Sequence, residues 1–253
     1  MPSKAELEAA LARYPAALEL RAQASKTSRD LVQLDSWYRR DLRDALRARM
    51  DQHEQNEAYL LKDELTRLMD WKLARGTWHP RLQSLIASNP PALVRSHTLL
   101  SPFPFPFPAS AAASTLSRLS KLAGVGPATA SGVLALWAPD REPFMSDEAM
   151  DHVAAYGAGQ AGVVAKRAYT EKGWREFRDR MRRRMDDEGW GSMEELEMAL
   201  WAWGVERKYG SKTSAAAADD GGAEEGTEGA STSKGKRKLT GAGESATKKR
   251  KST

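Results

Sequence analysis

The chain has 253 residues, of which 41% are apolar, with eight Trp and nine Met, enough for one generous core or two small ones. It contains no Cys, which excludes disulfides, Cys-ligated zinc and a Cys-held iron–sulfur cluster, and no two of its four His stand at metal-ligand spacing, so no metal site is expected. The net charge is +5, but residues 211–253 carry nine Lys/Arg against six Asp/Glu; the preceding 210 residues, with 30 basic and 28 acidic groups, are nearly balanced, so a nucleic-acid surface there has to be a local patch.

No apolar stretch reaches the roughly 20 residues of a membrane span. The first residues, MPSKAELEAALARYP, read as a charged amphipathic helix and lack the apolar core of a signal peptide, so a soluble protein that is not secreted is expected.

In chain order, residues 3–50 are expected to be helical, because Leu7, Leu11 and Leu18, then Leu31, Leu34, Leu42 and Leu46 recur near helical spacing; Pro15 is expected to end a first short helix. Residues 58–75 give the clearest amphipathic helix, with Leu60, Leu61, Leu65, Leu68, Met69 and Leu73 on one face and Gly76 as its stop. Its end, Met69 to Leu73 with Arg75 and Gly76, fits a groove lining and equally a packed helix. Residues 78–96, interrupted by Asn89-Pro90-Pro91, predict two short helices. Pro102 to Pro108 alternate Pro and Phe and forbid a helix; this extended connector is read as a loop laying its Phe rings on the core, with a partner ligand as the alternative.

Helices are expected over 147–156 and 167–188. The second carries Arg175, Arg178, Arg180, Arg182, Arg183 and Arg184, read as a salt-bridged surface helix or a phosphate-tracking face. Ser192 caps a last helix, 193–207, with Met193, Leu196, Leu200 and Trp203 on one stripe and Glu195 in the capping-box position. No strand pattern occurs, so the fold class is all-α.

Residues 211–253 contain no aromatic residue and one large aliphatic, Leu239, and are expected to be a disordered basic tail. Lys236-Arg237-Lys238 and Lys248-Lys249-Arg250-Lys251, nine residues apart, resemble a bipartite nuclear-localisation signal, so a nuclear location and a nuclear import receptor as partner are expected. A merely solubilising tail is the alternative.

The densest information lies in 114–137. Ser114 is expected to start a helix with Leu116, Leu119 and Leu122 facing inward, and Gly124-Val125-Gly126 to break it. Both glycines can take positive φ and admit another backbone, while Val125 plugs into the core. Pro127 fits the first position of a new helix, continued by Ala130, Val133, Leu134 and Trp137. The free amides and positive dipole end at its start suit a phosphate. A plain tight turn between helices is the simpler reading of the same residues.

Leu122-Ala123-Gly124-Val125-Gly126-Pro127-Ala128-Thr129-Ala130 matches L-x-G-V-G-x-x-T-A and so resembles the helix-hairpin-helix DNA glycosylase superfamily, which pairs the hairpin with a Gly/Pro-rich loop and an aspartate. The match is close over these nine residues and weakens over the next twenty. The resemblance implies a helical domain over 1–210 that grips a DNA phosphate through Gly124, Val125, Gly126, Ala128 and Thr129. It implies no cofactor other than a monovalent cation at the hairpin.

The resemblance also implies that Asp147, after Pro143-Phe144-Met145-Ser146, stabilises an oxocarbenium-like sugar or positions water. His152 follows at a spacing similar to the family's. Asp151 and Glu148 are the fallback carboxylates, because the loop is about one residue longer than usual. A helix N-cap is the structural alternative for Asp147. Where strand-cutting members carry a Schiff-base lysine this chain has Ala128, so lyase chemistry by that route is not expected. Trp71, Trp78, Trp137 and Tyr156 are either walls for a flipped base or core. The expected function is thus a monofunctional DNA N-glycosylase or, in the alternative, a non-catalytic nuclear scaffold or chromatin-associated module on the same fold.

Overall fold

The computed structural model describes residues 1–25, 30–52, 57–100, 109–154, 156 and 167–219. Among these the protein is helical, with no β-strand; one isolated bridge joins Ala58 to Leu100. No helix among them is long and apolar enough to cross a membrane.

The N-terminal region forms α1 (Lys4–Ala12), α2 (Tyr14–Gln23), α3 (Leu31–Ser36) and α4 (Leu42–Gln52), with a π-helical turn, Trp37–Asp41, joining the last two. A capping box from Ser3 and Glu6 starts α1. The first short helix ends just before Pro15, at Ala12, and Pro15 sits in the first turn of α2, where its missing N–H costs nothing. The expected helix 58–75 is shorter: α5 spans Lys62–Arg75. Leu60 lies outside the helix and is fully buried, its N–H donating to Thr98 Oγ1 at 2.9 Å, and Leu61 is exposed at the extended N-cap. Two short helices follow as expected, α6 (Pro80–Ala87) and α7 (Pro91–Thr98), each opened by a proline.

The hairpin is α8 (Ala109–Leu119) and α9 (Pro127–Trp137); α8 begins five residues before Ser114. Then come α10 (Asp147–Val153), α11 (Glu171–Glu188) and α12 (Met193–Asp219). The basic helix is thus shorter than 167–188, with Thr170 as its cap. By contrast, α12 overruns the expected end at 207 and enters the segment expected to be disordered from 211. Ala215 to Ala218, the strongest helix formers, extend a helix that is already nucleated. Residues 220–253, with both basic clusters, and the Pro102–Pro108 connector lie outside the described residues.

The long α12 is the central element: α1, α2, α10 and α11 pack along it, while α5 packs on α2, α3, α6, α7 and α9. Leu7, Ala10, Leu196, Leu200, Trp201 and Val205 are fully buried, so the N-terminal helices complete the core. A polar network runs through it. Asp35 accepts from Tyr14 Oη (3.0 Å), Trp71 Nε1 (2.8 Å) and Arg39 Nε (2.9 Å), and Arg75 pairs with Glu197 at 3.0 Å. Buried charges persist only when compensated in this way. Of the arginine run on α11, Arg178 and Arg184 are themselves buried. Arg178 Nε donates to Glu142 Oε2 at 2.6 Å, and Arg184 Nη2 to the Pro2 carbonyl at 2.7 Å. Part of that run therefore builds the core, and Arg175 and Arg180 pair with Glu171 and Glu176 on the helix surface.

Candidate functional site

The turn Ser120–Gly126 is held by short-range main-chain bonds, Leu122 N–H to Leu119 O and Val125 N–H to Leu122 O, each 3.1 Å. Only Gly124 takes positive φ (76°). A Cβ there would meet Ile86 N at 2.9 Å and Leu82 O at 3.1 Å, so the hairpin lies directly against α6. Gly126 is extended (φ −92°, ψ −179°), and nothing lies within 4 Å of where its Cβ would be. Of the two glycines, one is needed for the fold and the other leaves open space in front of the helix. Val125 points into the core.

Gly126 caps α9 without a side chain, so the amides of Ala128 and Thr129 begin the helix with no side-chain acceptor. The second hairpin helix is anchored below. The Tyr38 hydroxyl donates to Gly132 O at 2.6 Å, and the Tyr38 ring stacks on Trp71 at 3.7 Å.

Asp147 is delivered by the loop from Pro143. Ser131 Oγ, buried on α9, donates to Ala128 O and accepts the Met145 N–H, both at 2.9 Å, tying the loop to the hairpin helix. Phe144 packs against Trp71 with ring centres 4.8 Å apart. Ser146 is the N-cap of α10, accepting from Ala149 N–H at 3.4 Å. That leaves Asp147, the first helical residue, free of the capping duty weighed for it.

Its carboxylate is 22% exposed and meets Arg167 Nη1 at 2.9 Å, and the Tyr169 hydroxyl donates to its other oxygen. Burial and that hydrogen bond push the Tyr169 phenol up to about 12. Arg167 also grips Asp151 through Nε (2.7 Å) and Nη2 (2.6 Å).

These groups open on one cleft of about 370 Å³, within the size range of small-ligand pockets. Gly124, Gly126, Ala128 and Thr129 line one side and Asp147, Glu148 and Tyr169 another, while Lys72, Thr77 and His79 come from the α5–α6 region. Phe144 and Trp201 form apolar walls. Beneath them Arg75 is fully buried, its guanidinium 4.5 Å from the Trp201 ring and 5.2 Å from that of Trp71. A second cavity of about 520 Å³, lined by Arg21, Trp78, Lys208 and Tyr209, adjoins the first across Gly76, Thr77, Asp147 and Glu148.

Of the sequence-chosen residues, Gly124, Gly126, Ala128, Thr129 and Asp147 therefore share the cleft, and Val125 does not. The two fallback carboxylates part company. Asp151 is spent on Arg167, while Glu148 is buried beside Asp147 with its Oε2 lacking a partner among the described residues. Burial, with the Asp147 charge beside it, pushes the Glu148 carboxyl above its ordinary value. His152 packs edge-on against Trp203 at 4.6 Å, and burial lowers its pKa.

Among the aromatic candidates Trp71 is core, hydrogen-bonded to Asp35, and Trp78 lines the second cavity; the Tyr156 hydroxyl donates to Asp187 at 3.1 Å. The cleft's own aromatic groups, Phe144, Tyr169 and Trp201, and its cation Arg167 escaped the sequence reading. Only the Met69–Gly76 stretch had been marked as groove lining, and it supplies Lys72, Arg75 and Gly76. Among the described residues no three His, Asp or Glu side chains cluster to hold a metal ion. Comparison of the chain with protein-family models, with curated proteins and with solved structures gives no match.

Proposed function

We propose that the protein is a DNA-binding protein of the nucleus whose helical domain holds a backbone phosphate at the start of α9 and receives a nucleotide rotated out of the duplex in the adjoining cleft, where Asp147 assists hydrolysis of the N-glycosidic bond. One observation carries this reading: the uncapped amides of Ala128 and Thr129 and the Asp147 carboxylate open on the same cleft. A helix start attracts anions through its free N–H groups and dipole, and Gly126 leaves the approach clear. Main-chain carbonyls of the turn are the groups that would hold a monovalent cation beside the phosphate.

Rotating a nucleotide out of the stack costs a few kcal/mol, which stacking against the exposed Tyr169 ring of the cleft offsets. The Asp147 side chain then faces the positive charge that develops on the sugar as the base departs. Ala128 leaves no amine on the hairpin itself, so its share of the chemistry is hydrolysis alone. The two basic clusters of the tail are the proposed import signal, on their composition and spacing.

The test uses the full chain with duplexes carrying an abasic-site analogue or no lesion, compared across salt concentrations, because a basic tail alone gives binding that fades steeply with salt. Preference for the abasic duplex at physiological salt is expected. Asp147→Asn is expected to keep that preference and to lose base release from a panel of damaged duplexes. Equal release by the variant and the parent would remove Asp147 from the chemistry.

A non-catalytic scaffold is the second reading. It is favoured by the pairing of both Asp147 oxygens, one with Arg167 and one with Tyr169. Loss of lesion preference together with absence of base release by the parent protein would decide for it.

A further inference from the structure

The second cavity, about 520 Å³, is large enough for a small ligand of its own. Arg21 of α2, residues 76–78 between α5 and α6, and Lys208 and Tyr209 of α12 enclose it, and Asp147 and Glu148 belong to the wall it shares with the cleft. The end of α5 holds the Arg21 guanidinium in place: Nε donates to Arg75 O at 3.1 Å and Nη2 to Gly76 O. That guanidinium stands 5.6 Å from the centre of the Tyr209 ring, and Lys208 Nζ stands 5.3 Å from the same ring.

The uncompensated charge of this cavity is positive. Asp147 is paired with Arg167 and Arg75 with Glu197, whereas Arg21 and Lys208 meet no carboxylate within ion-pair distance among the described residues. Glu148 is 9% exposed, and its Oε2 has no hydrogen-bond partner among the described residues. Burial pushes its carboxyl up, against its own main-chain N–H and the charges of Arg75 and Lys208. The neutral form that burial favours leaves the two cations unmatched and still needs a hydrogen bond. Phosphate oxygens accept from arginine and lysine, and flat rings stack on Trp and Tyr faces. Arg21 and Lys208, with Trp78 and Tyr209, therefore suit a ligand that has an anionic end and a flat ring. A ring with polar edge atoms also satisfies Glu148, which a hydrocarbon ring cannot do.

We propose that the second cavity binds a free 5′-mononucleotide, with its phosphate at Arg21 and Lys208, its base against Trp78 and Tyr209, and the base edge hydrogen-bonded to Glu148. No covalent bond is made or broken. The site is separate from the cleft and does not depend on reading the cleft as a DNA site. A small aromatic acid would fill part of the volume and leave Glu148 unsatisfied, and a bare phosphate would leave both rings uncovered.

The experiment titrates the full chain with adenosine 5′-monophosphate in a calorimeter at physiological salt, beside adenosine, which lacks the phosphate, and ribose 5-phosphate, which lacks the base. One-to-one binding of the nucleotide is expected, with each fragment at least about tenfold weaker, because the charge and the ring both contribute. Lys208 is exposed, so Lys208→Gln keeps the fold, and it is expected to weaken the nucleotide about tenfold. Trp78→Leu is expected to weaken the nucleotide and leave ribose 5-phosphate unchanged. Lys172→Gln removes a charge from a side chain that is 87% exposed on α11 and is expected to change nothing.

Ribose 5-phosphate binding as tightly as the nucleotide would reduce the cavity to a patch of positive charge and overturn the proposal. Nucleotide binding that Lys208→Gln leaves unchanged would place the site elsewhere, the basic clusters of the tail included, and overturn it equally. So would the absence of binding. No duplex takes part in these titrations, so each of these outcomes leaves the DNA reading of the cleft as it stood.

Discussion

Asn89 holds Ala123 by both of its main-chain groups: Oδ1 accepts the Ala123 N–H and Nδ2 donates to the Ala123 carbonyl, each at 2.9 Å. The side chain is buried between α6 and α7 and also donates to Ile86 O at 2.9 Å. It therefore fastens the hairpin turn to the α6–α7 junction one residue before Gly124. Asn89→Ala strands these backbone groups, at a cost of about 1–3 kcal/mol. A lowered denaturant midpoint with an unchanged slope is the expected result, and an unchanged midpoint would show that the turn holds itself.

Gly124 and Gly126 are predicted to fail differently. Gly124→Ala forces a Cβ onto Ile86 N at a positive φ, for about 1–3 kcal/mol of destabilisation. Gly126→Leu meets open space and is expected to change stability by no more than about 0.5 kcal/mol. The same substitution blocks the approach to the Ala128 and Thr129 amides and weakens DNA binding across sequences. Thermal unfolding and a binding titration on both variants separate the two roles; a Gly126→Leu protein with parental affinity would dissociate the helix start from phosphate binding.

Ser131 reaches the site through Met145. Ser131→Ala leaves the buried Met145 N–H without its acceptor, costing about 1–3 kcal/mol, and loosens the loop that delivers Asp147. The expected signature is a drop in base release larger than the drop in duplex affinity. Equal losses would mean that the loop positions DNA and not the carboxylate.

Acid sensitivity should arise largely in the polar core. Burial works to raise the Asp35 carboxyl, but Arg39, Arg75 and the Trp71 hydrogen bond outweigh it and hold the group below its ordinary value. Glu194 is lowered likewise: burial opposes, and the Arg43 hydrogen bond with the charges of Arg39 and Arg43 prevails. A carboxyl whose folded pKa lies below its unfolded one contributes stability that is fully present above the unfolded value, about 3.9 for Asp and 4.3 for Glu. That contribution is lost as pH falls through the folded value. The contribution of these two carboxyls is thus expected to be constant near neutrality and to be lost below about pH 5. Asp35→Asn is expected to be less stable at pH 7 and to show a shallower acid decline; a parallel decline would place the acid-labile groups elsewhere.

The all-helical class, most of the helix positions and the hairpin were legible because each depends on neighbours in sequence. Leu116 and Leu119 share a helix face by spacing alone, with Leu122 buried in the turn beyond that helix, and Pro127 after Gly126 marks a helix start by backbone chemistry alone. The misreadings have physical causes as well. Leu60 is buried like a helical core residue but lies outside the helix, its N–H given to Thr98, 38 residues away. The expected break after Gly210 ignored four alanines that prolong α12 through Asp219.

What the sequence by itself determined is therefore a set of helices, a glycine turn with an uncapped helix behind it, and an aspartate at the start of another helix. Only the tertiary structure decided that these face each other across one cleft, and that Lys72, Tyr169 and Trp201 complete it. It also decided that Asp147 meets Arg167, that Arg178 and Arg184 serve the core, and that α1 and α2 close the domain against α12. The physical reason is range. Helix propensity, capping and glycine conformation act within a few residues, whereas a pocket wall, a charge pair or a pKa depends on which side chains packing brings within a few ångströms from distant parts of the chain.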